Sequence, residues 1–97
     1  MNEVDQMHAL PLPETMDRKA VLALQRTLLD QRGADAVLDA SQVQRMGGLA
    51  IEMLISARKQ WQMDGKALSI RDASDPFVTA LEAVGASVEL LQTGGPA

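Results

Sequence analysis

The chain has 97 residues, 46% of them apolar and 23% charged, which suits one globular domain with its own core and excludes disordered and fibrous classes. Nine Lys and Arg against 13 Asp and Glu leave a formal net charge of −4, a field that repels nucleic-acid backbones and anionic lipid surfaces. There is no cysteine and a single histidine, His8, so disulfides, thiolate metal sites and cysteine nucleophiles are ruled out and a histidine metal cluster has no second member.

Short runs rich in Val, Ile and Leu alternate with longer stretches of helical period, the pattern of a sheet covered by helices. The expected fold is α/β, a mixed, mostly parallel four-stranded sheet covered by about three helices, in a single domain over 1–97 with its ordered core at about 8–91. The first strand is expected over Met7 to Leu12, at an edge or ending at Pro11, because Pro11 and Pro13 have no N–H for a central ladder. A helix follows, capped by Thr15 or Asp17, with Val21, Leu24 and Leu28 inside, Arg18, Lys19 and Arg26 outside, and Gly33 as its stop. Ala34 to Asp39, with the run Ala36-Val37-Leu38, reads as a buried central strand.

The second helix opens near Gly47-Gly48 and closes at Asp64-Gly65, with Ala50, Met53, Leu54, Ala57 and Trp61 on a core-facing stripe. Lys66 to Asp72 is the next strand, through Ala67, Leu68 and Ile70. Asp75-Pro76 supplies a cap and a first-position proline for a third helix that carries Phe77, Leu81 and Val84 and stops at Gly85. Val88 to Leu91 is expected to be a last short strand, and Thr93 to Ala97 a frayed tail.

Trp61 and Phe77 are the only aromatic residues, so a platform for stacking bases is hardly available. The acidic start MNEVDQM is unlike a signal peptide, and no apolar run approaches the roughly 20 residues that cross a bilayer. A cytoplasmic protein that neither inserts in membranes nor binds nucleic acid is expected. No carboxylate pair has a partner base, so no catalytic residue, cofactor or metal is assigned.

The segment Val37-Leu38-Asp39-Ala40-Ser41-Gln42-Val43-Gln44-Arg45-Met46-Gly47-Gly48-Leu49-Ala50-Ile51 resembles the signature of the STAS family, the domain shared by sulfate transporters and anti-sigma factor antagonists. In that family a strand ends at Asp-x-Ser or a similar triplet, a short loop carries an apolar residue, and Asp-Ser-Ser-Gly-Leu opens the next helix. Leu38 to Ser41 match the strand end, Val43 and Met46 the loop, and Gly47 to Ile51 the helix opening. Ala67 to Arg71, Ser74 to Phe77 and Leu81 to Gly85 resemble the family's next strand and helix, so the likeness runs from about His8 to Leu91. There is no room for the longer pattern's additional first strand and C-terminal helix, and the chain looks like a short bacterial variant.

The resemblance implies a non-catalytic protein-interaction module of a regulatory or signalling system, anti-sigma factor antagonist-like or chemotaxis-associated. Its partner would be a kinase-like ATPase, an anti-sigma factor or a chemotaxis component, and the chain itself a monomer or weak dimer. The docking residues it implies are Ser41, Val43, Arg45, Met46, Gly47, Gly48, Leu49 and Glu52. The family's phosphorylated serine falls on Leu49 and its neighbouring serine on Gly48, so no hydroxyl remains at the helix start. Gly47-Gly48 otherwise read as small residues relieving a crowded strand-to-helix turn, or as an anion cradle with Arg45 as the nearby cation. Ser41 is an alternative phosphate acceptor or a local backbone partner, and Asp39 a loop cap. Two other functions stay open: a STAS-like subunit of a membrane ABC transport system for lipids, since other short STAS-like domains bind ABC-transporter ATPases, and a small-ligand or nucleotide-binding domain.

Overall fold

A computed structural model describes residues 9–93 of the chain. In chain order the elements are β1 (Ala9–Pro11), β2 (Thr15–Met16), α1 (Arg18–Asp30), β3 (Ala36–Asp39), β4 (Arg45–Met46), α2 (Gly48–Met63), β5 (Leu68–Arg71), α3 (Asp75–Ala83) and α4 (Val88–Leu91). The central sheet has the order β1-β3-β5 and both pairings are parallel, with Leu10 opposite Leu38 and Leu38 opposite Ile70. Burial alternates along it: Ala36, Leu38, Leu68 and Ile70 are buried, while Val37, Asp39 and Ser69 are half-buried and Arg71 is exposed. One face is therefore core and the other faces outward. Strands that step in one direction, joined by right-handed crossovers, put α1 and α2 side by side on the core face, and these two helices are in contact.

The helices begin where the chemistry of their caps directs. The Asp17 carboxylate accepts a bond from the Ala20 N–H at 2.9 Å, so Asp17 caps α1 and Thr15 belongs to β2. The Ser74 hydroxyl accepts from the Phe77 N–H, so Ser74 rather than Asp75 caps α3, and Asp75 and Pro76 are its first two residues, where the proline's missing N–H costs nothing. Gly33 and Gly85 lie past their helices with φ of +91° and +78°, a region that a residue lacking Cβ enters freely. Leu38, Leu54, Leu68, Phe77 and Leu81 are fully buried together with Trp61, whose indole N–H donates to the Ala34 carbonyl at 2.8 Å. No polar or charged residue is buried among the described ones.

Several expectations change. The sheet is not one of four strands: three strands form it, and β2 pairs with β4 in a separate parallel pair, Thr15 opposite Arg45 and Met16 opposite Met46. The described residues hold four helices, and the strands pair in parallel throughout, with one isolated antiparallel bridge between Leu68 and Thr93. Val88–Leu91 is a helical turn rather than a strand, capped by the Ser87 hydroxyl accepting from the Leu90 N–H, with Leu91 fully buried. Thr93 is held rather than frayed: it exchanges two backbone bonds with Leu68, at 2.9 and 3.0 Å, and Gln92 Oε1 accepts from the Ile70 N–H at 2.9 Å. These bonds occupy the outer edge of β5, which removes a template for unwanted strand pairing. The expected strand positions Met7 and His8 and the tail 94–97 lie outside the described residues.

Candidate docking surface

The loop between β3 and α2 leaves the carboxyl end of the sheet, where parallel α/β folds gather their functional groups. Asp39 closes its first turn by accepting the Ser41 N–H at 2.9 Å. That bond, helped by the Ser41 hydroxyl and by the charge of Arg71, holds the Asp39 carboxyl below the usual aspartate range. Ala40 and Val43 are buried, and Val43 packs its side chain into the core while its carbonyl accepts from the Ser74 hydroxyl at 2.6 Å. The N–H groups of Gln44 and Arg45 both donate to the Glu14 carbonyl, at 2.7 and 2.9 Å. The loop is thus tied to α3 on one side and to the segment before α1 on the other.

Because β2 and β4 are parallel and each leads directly into a helix, the N-termini of α1 and α2 lie next to each other. Of the eight residues expected to meet a partner, Ser41, Arg45, Gly47, Gly48, Leu49 and Glu52 are exposed and Met46 is half-buried against the core. Val43 is 1% exposed, so its side chain belongs to the core and offers no surface for contact. Leu49 is 48% exposed, so its isobutyl group is offered to solvent rather than spent on the core.

The glycines were expected to relieve crowding, and they do not. A Cβ built on Gly47 or Gly48 meets nothing within 4 Å, and neither residue has a positive φ. Gly47 is the cap of α2 but has no side chain to accept a bond, in contrast to Asp17 and Ser74 at the other two long helices. The first turn of α2 is therefore bare backbone, flanked by Met46 and Leu49, with Arg45 as the nearest cation in sequence. It lacks the polar side chains that would hold a cofactor, and no cluster of three metal-ligating residues exists among those described.

The surface continues where sequence reasoning did not follow it. Leu49 and Glu52 of α2 line a shallow groove with Arg18, Leu22 and Gln25 of α1, so these α1 residues border the expected docking site. The available signal was Leu22 itself, a large apolar residue off the inner stripe of Val21, Leu24 and Leu28, and it is 54% exposed. No described helix is long and apolar enough to cross a membrane.

A family model described as "Mlab, STAS domain" matches residues 2–92. Neither the curated proteins nor the solved structures give a match. With nearly its whole length under that model, and with parallel strands leading into helix N-termini at the loop that carries the motif, the chain belongs to the STAS domain family.

Proposed function

We propose that this STAS domain is a non-catalytic docking module of a bacterial regulatory or signalling system, presenting the loop from Ser41 to Met46 and the first turns of α2 to a kinase-like ATPase or a chemotaxis component. The observation that carries the reading is the half-exposed Leu49 beside the bare backbone of Gly47 and Gly48. A large aliphatic group held in the open next to uncovered backbone is a contact anchor in form, and such anchors at the centre of an interface dominate its energy. Docking would be constitutive. A phosphate at a helix N-terminus would add up to two negative charges there, and neither Gly48 nor Leu49 can accept one.

The experiment is partner capture with Leu49→Asp and Gly48→Arg. The space around Gly48 admits a side chain without a clash, so both variants should fold and weaken binding by about 1–3 kcal/mol, the range of a lost central contact. Full affinity in a folded Gly48→Arg protein would overturn this surface. The resemblance to short STAS-like domains that bind ABC-transporter ATPases supports a second reading, a subunit of a membrane lipid-transport assembly using the same helix end. Capture of an ABC ATPase in place of a soluble kinase would decide for it.

A further inference from the structure

Of the loop residues 41–45 only Val43 is buried, so the backbone on either side of it crosses the surface and depends on polar partners to keep one shape. The Gln44 and Arg45 N–H groups hold its far end on the Glu14 carbonyl. The near end is held by Ser74. Its N–H donates to the Ala40 carbonyl at 3.2 Å and its hydroxyl donates to the Val43 carbonyl at 2.6 Å, so one half-buried residue grips the loop at its entrance and at its buried midpoint. The same hydroxyl oxygen accepts the Phe77 N–H at 3.2 Å. A carbonyl only accepts and a backbone N–H only donates, which fixes the direction of both bonds: the single hydroxyl proton is committed to Val43 and a lone pair to Phe77. Phe77 is fully buried, so the hydroxyl fastens the loop to an anchored helix end.

We infer that Ser74 is a positioning residue for the docking loop, acting through the O–H that it donates to Val43 and not through its cap on α3. Its consequence for partner binding rests on the docking reading above; its hold on the loop does not. The cap alone does not call for a serine. Aspartate caps a helix as well, and Asp17 does so on α1, but a carboxylate is an acceptor only: at position 74 it would keep the Phe77 bond and turn a negative oxygen towards the Val43 carbonyl. Alanine makes neither bond and threonine can make both. Without the hydroxyl proton the loop keeps the Val43 side chain, the Glu14 carbonyl and the Ser74 backbone as ties, and the Val43 carbonyl loses its partner. A protein that docks on the closed loop loses apparent affinity in proportion to the fraction of molecules in which the loop is closed. Ser74 thereby sets how much of the docking surface stands ready without itself being among the residues proposed to meet the partner.

Amide hydrogen exchange on the free protein tests this with Ser74→Asp, Ser74→Ala and Ser74→Thr. The loop is read at Gln44 and Arg45, against Ala36, whose N–H is bonded to the Ala67 carbonyl at the other end of β3. In Ser74→Asp the Phe77 amide should stay protected while Gln44 and Arg45 exchange about tenfold faster relative to Ala36, the effect of losing one well-made hydrogen bond. Ser74→Ala should release Phe77 as well, and Ser74→Thr should match the wild type at all three amides. Loop amides as slow in Ser74→Asp as in the wild type, or freed equally in Ser74→Thr, overturn the proposal. The protein captured by the wild type should then bind Ser74→Asp more weakly and Ser74→Thr at full strength. If Leu49→Asp abolishes capture but Ser74→Asp, with its loop freed, binds normally, the docking surface stands and the positioning role falls. A freed loop in Ser74→Asp with capture unchanged in both variants bears out the hold of Ser74 on the loop and refutes the docking reading instead.

Discussion

Asp72 is the one described residue other than glycine with a positive φ, at +55°, in the turn that links β5 to the capping Ser74. The left-handed region brings Cβ against the backbone, and aspartate tolerates it only better than most. Its carboxylate meets the Arg71 guanidinium at 3.4 Å with both side chains more than half exposed, a contact too well solvated to matter greatly. Asp72→Gly should therefore raise stability by about 1 kcal/mol in denaturant unfolding, the gain from relieved backbone strain exceeding the lost ion pair and the added freedom of glycine in the unfolded chain. Gly48 gives the converse case. With open space around it and no positive φ, Gly48→Ala should stabilise α2 by roughly 0.5 kcal/mol. On the docking proposed above, the same variant should bind the partner less well. Read from the sequence, this residue suggested crowding, because a glycine pair before an apolar helix carries no record of how much room surrounds it.

At the scale of elements, helices with strong stripes and caps were legible almost to the residue. The spacing from Ala50 to Trp61 and the Asp64-Gly65 stop gave α2 as Gly48–Met63, because sixteen residues offer several periods against which a pattern can be read. Four residues do not. Val88–Leu91 has a β-branched start and an apolar run, which fit a strand and a helical turn equally, and the deciding facts are the Ser87 cap and a core site for Leu91 that α2 and β5 provide. The two-residue strands β2 and β4 are likewise invisible locally, since only their mutual register at Thr15–Arg45 and Met16–Met46 creates them. The role of α4 follows: Leu91 anchors the segment whose Gln92 and Thr93 close the β5 edge. Leu91→Ala should cost about 2–4 kcal/mol, the range for a fully buried leucine, and should speed amide exchange at Leu68 and Ile70, whose N–H groups are bonded to that segment. Loss of stability with those amides still protected would separate the anchor from the edge.

Across the whole molecule the sequence announced an α/β domain and the motif announced its family, but the split of five strands into two parallel sheets arises only when the chain closes on itself. That closure also joins the two long helices at their far ends. Arg32, just beyond α1, donates through Nε and a terminal nitrogen to the two carboxylate oxygens of Asp64, the C-cap of α2, each at 3.1 Å. A planar guanidinium bound at both oxygens holds its geometry better than a single contact does. The pairing lowers the Asp64 carboxyl below its ordinary 3.8, chiefly through the hydrogen bond from Arg32. Asp39 at the opposite end is lowered as well, chiefly by the Ser41 N–H. For a carboxyl whose folded value lies below its unfolded one, the unfolded chain binds more protons in the acidic range, so the contribution to stability is complete above about 3.8 and disappears as pH falls through the lower folded value. Because Asp64 stays in reach of solvent, its share is modest and screened by salt. The expected result is a difference in unfolding free energy between the wild type and Asp64→Asn that is constant from neutral pH to just above the ordinary aspartate range, then shrinks towards zero in more acidic solution. The same titration on Arg32→Gln should follow that curve, since either substitution removes the same bridge. A wild-type advantage that persisted undiminished in strong acid would mean that the Asp64 carboxylate contributes through packing at the end of α2, and that the ends of the two helices are held by something other than their charges.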